Sequence, residues 1–100
     1  MDVIYDDDEL ERLEFDPRFT ANLSQGLVKA FRKKMQALRG AEDERDLYTQ
    51  RSNNFEELQG NRKGQYSIRL NDQYRLIIKF LKNKNDDKKT IIIIRIEDYH

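Results

Sequence analysis

Apolar and polar residues alternate with period two over two adjacent stretches, and this alternation organises the rest of the chain. Tyr66, Ile68 and Leu70 are separated by Ser67 and Arg69; Tyr74, Leu76, Ile78 and Phe80 repeat the pattern, with Arg75 and Lys79 among the residues between them. A period of two marks a half-buried strand. The spacing predicts two strands joined at Asn71-Asp72 and entered through a glycine-bracketed basic turn, Gly60-Asn61-Arg62-Lys63-Gly64. Pairing them places Arg69, Arg75 and Lys79 on one surface of the sheet and their apolar neighbours on the other. A cationic surface made from strands is a rigid place to hold an anion.

Upstream, the apolar spacing turns helical. Val3-Ile4-Tyr5 reads as a short strand, and Asp6-Asp7-Asp8 offers an N-cap for a helix through Leu10 and Leu13. Phe15-Asp16-Pro17 stops that helix, because the residue before proline avoids the helical region. Ser24 caps a second helix ending near Arg39, with Gly40 at the C-terminal position that glycine favours. Leu27, Phe31, Met35 and Leu38 form its core stripe, and Lys29, Arg32, Lys33 and Gln36 its outer face. Residues 42–54 are polar, anchored only by Leu47 and Tyr48, and read as a loop or a short turn of helix. Residues 55–58 suggest a brief strand. Residues 82–90 read as a flexible polar connection too charged to pack. The β-branched run from Ile91 to Ile96, interrupted only by Arg95, suggests a strand buried on both faces or nearly so. Strand, helix, helix and then three or four strands predict a single α+β domain over residues 1–100, with two N-terminal helices packed on one face of a small, mixed, mostly antiparallel sheet.

Composition changes this picture in two places. The formal net charge is zero, but residues 1–16 hold eight acids and one base, a net of −7, so the other 84 residues carry +7. An acidic leader on a basic body suits either a nucleic-acid binder or an ordinary mixed-charge surface. The chain has no cysteine, which excludes disulfides, thiol chemistry and thiolate metal sites. No apolar segment follows a basic start and no apolar run approaches a membrane span, so a soluble cytoplasmic protein without a membrane role is expected.

A single histidine and no cysteine leave no ligand set for zinc, and no glycine-rich turn opens a helix to cradle a nucleotide, so no metal and no cofactor is expected. Any chemistry then rests on carboxylates, Tyr, Arg, Lys and His100. That set suffices to cleave RNA by attack of its own 2′-hydroxyl on the adjacent phosphate, which needs a base, an acid and cations for the phosphorane. Arg62, Arg69, Arg75 and Lys79 are candidate cations, and Asp98, Tyr99 and His100 candidates for acid, base and stacking surface. Each has a plainer alternative: solvent-facing strand residues, a core-edge tyrosine, a frayed terminus. On the residues alone both readings stay open.

Three stretches resemble the HigB toxins of the RelE/ParE superfamily of bacterial type II toxin–antitoxin systems. They are Leu58-Gln59-Gly60-Asn61-Arg62-Lys63-Gly64, then Ser67-Ile68-Arg69-Leu70-Asn71-Asp72-Gln73-Tyr74-Arg75, and finally Glu97-Asp98-Tyr99-His100. Tyr5, Asp7 and Glu11-Arg12-Leu13 also resemble the family's N-terminus. The resemblance implies a RelE-like fold and a toxin that inhibits translation by cutting mRNA in the ribosomal A site without a metal. It implies neutralisation by a HigA-type helix-turn-helix antitoxin, with operator DNA bound only through the toxin–antitoxin complex. By position, Asp98, Tyr99 and His100 match the active-site terminus and Arg75 a strand arginine facing the scissile phosphate. Arg62 matches the basic turn; Lys63 in that turn, Arg69 and Lys79 are the accompanying RNA-binding candidates. Some relatives carry a second histidine before the glycine turn, where this chain has Glu56 or its neighbours. Without it, His100 and Asp98 are expected to handle proton transfer. Alternatives on the same fold are a ParE-like poison that binds DNA gyrase, or a decayed toxin acting only in antitoxin binding and repression.

Overall fold

The computed structural model describes every residue except Asp86 and His100. In chain order it contains strand β1 (Val3–Tyr5), helices α1 (Asp8–Phe15), α2 (Gln25–Gly40) and α3 (Glu44–Thr49), and strands β2 (Glu56–Glu57), β3 (Gln65–Arg69), β4 (Tyr74–Lys82) and β5 (Lys89–Asp98). Single 3-10 turns at Arg51–Asn53 and Gly60–Arg62 flank β2. The five strands form one sheet in the order β1-β5-β4-β3-β2. β1 runs parallel to β5 and the other pairs are antiparallel. This is the expected α+β architecture, with a third, short helix in the stretch that sequence left between loop and helix.

The helices form where their ends are satisfied. Asp7 accepts from the backbone N–H groups of Glu9 (2.8 Å) and Leu10 (3.3 Å), and Asp8, Glu9 and Glu11 add negative charge to the positive end of α1. Asp16, held extended before Pro17, ends it. Ser24 Oγ accepts from Leu27 N–H at 3.1 Å and opens α2. Removing that acceptor leaves an orphan donor, so Ser24→Ala is expected to lower unfolding free energy by about 1 kcal/mol. Urea denaturation checks this: the midpoint falls while the slope stays that of the wild type.

Leu10 and Leu13 of α1 and Val28, Phe31, Met35 and Leu38 of α2 pack in one cluster with Ile68, Leu76, Ile78, Ile91 and Ile93 of the sheet. One sheet face is therefore the core. By alternation the other face carries Arg69 and Ser67 on β3 and Arg75, Ile77 and Lys79 on β4. On β5 a register irregularity opposite Ile77/Ile78 reverses the alternation, so Arg95 and Glu97 join that face although Ile91 and Ile93 lie in the core.

Four local expectations need correcting. Gly40 is the last helical residue of α2, and Ala41, at φ −70°, follows it, so no left-handed glycine closes the helix. Arg32 is not a solvated outer-face residue: it donates to the backbone carbonyls of Leu13 (2.9 Å), Asp16 (3.0 Å) and Phe19 (3.1 Å), stapling the α1–α2 connection. The connection after β4 is shorter than its charge suggested. The ladder runs on to the Lys82–Lys89 pair, and Thr90 Oγ1 bonds Asn83 Oδ1 at 3.0 Å. Backbone pairing is indifferent to side-chain charge when the side chains reach water. Finally, β5 is buried on one face only. Ile91 and Ile93 are fully buried on the core face and Ile92 is partly exposed on the other; past the register irregularity Ile96 packs against the core while Arg95 is exposed.

Candidate functional site

The hairpin turn between β3 and β4 positions the site. Asn71 Oδ1 accepts from the N–H groups of Gln73 (2.9 Å) and Tyr74 (2.7 Å), an Asx turn that an asparagine at this point favours. The Asn71 backbone carbonyl accepts from Arg75 Nη1 at 2.8 Å, and that of Tyr74 from the same nitrogen at 3.2 Å. The turn thus both reverses the chain and holds the guanidinium of Arg75.

The chain's end docks on this turn. Tyr99 N–H donates to the Gln73 carbonyl at 2.7 Å, and Gln73 Nε2 donates to Asp98 Oδ2 at 3.2 Å. The Arg75 guanidinium carbon lies 4.6 Å from the centroid of the Tyr99 ring, whose side is open to solvent. Cation and ring orient one another. Arg75 and Tyr99 line a cavity of about 380 Å³ together with Asn54, Phe55 and Glu56. Three of the expected catalytic residues, Arg75, Asp98 and Tyr99, are therefore brought together; His100, the fourth, lies outside the described residues.

The expected RNA-binding cations are distributed less simply. Arg69 stands opposite Arg75 in the ladder and is ion-paired with Asp72 of the turn. Lys79 is exposed on the same face, four residues from Arg75, or about 13 Å along the strand, so the two cannot share one phosphate. Lys63 is exposed on the turn before β3. Gly60 and Gly64 bracket that turn at φ +69° and +94°, left-handed values that exclude other residues without strain. Arg62 leaves the turn and reaches across the sheet to β5. Its two terminal nitrogens donate to Glu97 Oε2 (3.1 Å) and Oε1 (3.0 Å), while Arg95 Nε donates to Oε1 at 3.3 Å. The Arg62 fork holds the Glu97 carboxyl below its usual carboxylate range, against the opposing effect of partial burial, and Arg95 adds in the same sense.

Two carboxylates were not singled out as site residues from sequence. Glu97 faces Arg75 in the β4–β5 register. Period-two spacing could not have found it, because the same spacing runs back through Arg95 to the core residues Ile93 and Ile91. Only the register irregularity opposite Ile77/Ile78 turns Glu97 to the Arg75 face. Glu56, noted in sequence only where relatives carry a histidine, lies in β2 opposite Ser67 and lines the Arg75–Tyr99 cavity. Its side chain makes no hydrogen bond or ion pair among the described residues. Chemically, the cavity offers a fixed cation, a ring for stacking and a free carboxylate within one hollow.

Comparison with known proteins agrees with this architecture. The model of the HigB-like toxin family, described as the RelE-like toxin of type II toxin–antitoxin system HigB, matches residues 4–96. Toxin HigB-1 of Vibrio cholerae serotype O1 is 36% identical over 81 residues, spanning 81% of this chain and 76% of the relative. Among solved structures, a YoeB/ParE toxin from Agrobacterium tumefaciens superposes with a TM-score of 0.57 at 16% identity, covering all of both chains. The YoeB-YefM complex from Staphylococcus aureus gives a TM-score of 0.58 at 20% identity, over all of this chain and 97% of the other. At these identities the two structures speak for the fold alone. The match over residues 4–96 and the HigB-1 relative place the chain in a family: it belongs to the HigB-like toxins, the RelE-like toxins of type II toxin–antitoxin systems.

Proposed function

We propose that the protein is a ribosome-dependent mRNA endoribonuclease that works without a metal, in the cytoplasm, and is neutralised by a HigA-type helix-turn-helix antitoxin. The observation that carries this reading is the Arg75 guanidinium, fixed by two backbone carbonyls, laid on Tyr99 and opening into a cavity that Glu56 also lines. Operator DNA is met only through the toxin–antitoxin complex.

In this reading the 2′-hydroxyl of a ribose attacks the phosphorus of its own 3′-phosphate. Glu56, whose carboxylate has no competing partner among the described residues, takes the hydroxyl proton. The bond to the 5′-oxygen of the next nucleotide breaks, and His100 returns a proton to it, leaving a 2′,3′-cyclic phosphate and a 5′-hydroxyl. Arg75 stabilises the charge that gathers on the non-bridging oxygens. Asp98 braces the turn through Gln73, and Tyr99 stacks an unpaired base. The cavity is open to solvent and Arg75 is the one cation lining it among the described residues, so a free strand is held in no single conformation and the substrate must arrive already bent for in-line attack. A ribosome-held mRNA meets that need, and free RNA is expected to be cut poorly.

Induced expression with mapping of mRNA 5′ ends tests the proposal. New ends inside translated codons are expected on a reporter message, and none when its start codon is removed. Growth arrest without new ends would overturn the nuclease reading and point to a binding target such as gyrase.

A further inference from the structure

We propose that Arg62 and Arg95 form a second phosphodiester-binding subsite beside Arg75, and that the Glu97 carboxylate occupies it when RNA is absent. The inference rests on the RNA reading above and deepens it.

The geometry begins with the fork. Arg62 presents two parallel N–H groups to the two oxygens of Glu97, the arrangement in which a guanidinium binds either a carboxylate or a phosphate. Arg95 donates to one of the same oxygens. Glu97 is the ladder partner of Arg75, and Arg95 that of Ile77, so both sit on the sheet face opposite the helices, within one strand pair of the fixed cation. Cross-strand neighbours lie about 5 Å apart, which suits adjacent phosphates of one strand better than two contacts on the same phosphate.

A purely structural ion pair would have its surroundings satisfied. Here Arg62 Nε, Gln65 Oε1 and Ser67 Oγ are buried with no hydrogen-bond partner among the described residues, and Ser67 is only 1% exposed. Gln65 and Ser67 lie on the same sheet face, on the strand that Arg62 crosses to reach Glu97. Buried polar groups are nearly always paired, so an unpaired Nε–H donor, an unpaired hydroxyl and an unpaired amide oxygen around a filled guanidinium fork mark a site that is incomplete at rest. A phosphate in place of the carboxylate offers more acceptor oxygens, which suit the Arg62 Nε–H and the Ser67 hydroxyl, the two of the three that can donate.

The exchange has a regulatory consequence. With Glu97 in place, the partly buried Arg62 and its neighbour Arg95 are not left unpaired. RNA must displace that carboxylate, so a loose strand competes badly, whereas a strand already positioned over Arg75 competes at high effective concentration. Glu97 thus biases the site against free RNA.

Fluorescence anisotropy of a labelled single-stranded RNA oligonucleotide, measured over a salt series, tests this on the full chain. Glu97→Gln keeps the side-chain shape and removes the charge. It is expected to bind about 3- to 10-fold more tightly, with the salt dependence steepened by about one phosphate contact. Arg62→Ala is expected to bind more weakly, and Glu97→Gln to add nothing in the Arg62→Ala background. A Glu97→Gln protein with wild-type unfolding midpoint and unchanged or weaker RNA affinity would overturn the subsite. So would a gain that persists without Arg62, because net charge alone would then explain it. Where Glu97→Gln lowers the midpoint, Arg95→Ala decides: reduced affinity supports the subsite and full affinity overturns it. Arg75→Ala separates the two levels. Full RNA affinity in that variant defeats the RNA reading itself, whereas lost affinity with Glu97→Gln unchanged defeats only the subsite.

Discussion

Alanine in place of Arg75 is expected to slow mRNA cleavage about 10²- to 10³-fold, the usual loss when one preorganised donor to transition-state charge is removed. Arg75 is the cation of the cavity, and the fold holds it in place. Its Nη1 is bonded to the Asn71 and Tyr74 carbonyls and its guanidinium carbon lies over the Tyr99 ring at 4.6 Å from the centroid. This bracing is complete before substrate arrives, so little reorganisation remains for the chemical step. Arg75→Lys keeps a positive charge but loses the planar fork and the stacking, and most of the activity is expected to go with them. The measurement is the yield of new mRNA 5′ ends per unit of toxin after induction, with growth arrest scored beside it. Arg75 is partly exposed and lies outside the core cluster, so the unfolding midpoint is expected to fall only slightly. Undiminished cleavage by Arg75→Ala would remove this residue from the mechanism.

The second large effect falls on stability and leaves the site's residues untouched. Phe31→Ala deletes a fully buried ring from the middle of α2, where it joins Leu13, Met35 and Leu38 in the cluster over the sheet. Emptying such a site costs about 3–5 kcal/mol, because the lost burial is compounded by a cavity that rigid neighbours only partly fill. A domain of this size has roughly 5–15 kcal/mol in total. The variant is therefore expected to melt at least about 12 °C below the wild type. Thermal denaturation followed by circular dichroism gives the answer, and a shift of only a few degrees would mean that α2 repacks over the sheet. The two variants separate two ways of losing toxicity: Arg75→Ala stays folded and does not cut, whereas Phe31→Ala cuts only in the fraction that remains folded.

Much of the site was legible because it is local. Asn71 and Gly64 announce the turns, and period-two spacing puts Arg69, Arg75 and Lys79 on one face; the ladder pairs Arg69 with Arg75 and Gln65 with Lys79 as that spacing requires. What sequence misjudged was which cations are free. Arg32 looks solvent-facing by its place in the outer stripe of α2, and Arg62 reads as a candidate RNA-binding cation of the basic turn with no partner in view. Yet one is bound to three carbonyls of the α1–α2 connection and the other to a glutamate 35 residues away. A long side chain commits to partners that lie close only after the chain has folded, and no periodicity encodes such partners. Glu56 escaped for the same reason: it becomes a site residue only when β2 pairs with β3 and the chain's end folds back on Gln73.

By itself the sequence determined the local terms: where helices are capped, where proline stops one, where glycine permits a left-handed turn, and which alternating positions of β3 and β4 turn away from the core. Those follow from the conformational preferences and polarity of neighbouring residues, which need no third dimension. The tertiary structure alone decided that β1 would lie parallel to β5 at the sheet edge, and that Glu97 rather than solvent would meet Arg62. It also decided that Arg75, Tyr99 and Glu56 would share one hollow. Such pairings join residues far apart in the chain, and their free energy comes from burial and charge complementarity that exist only once the sheet has closed.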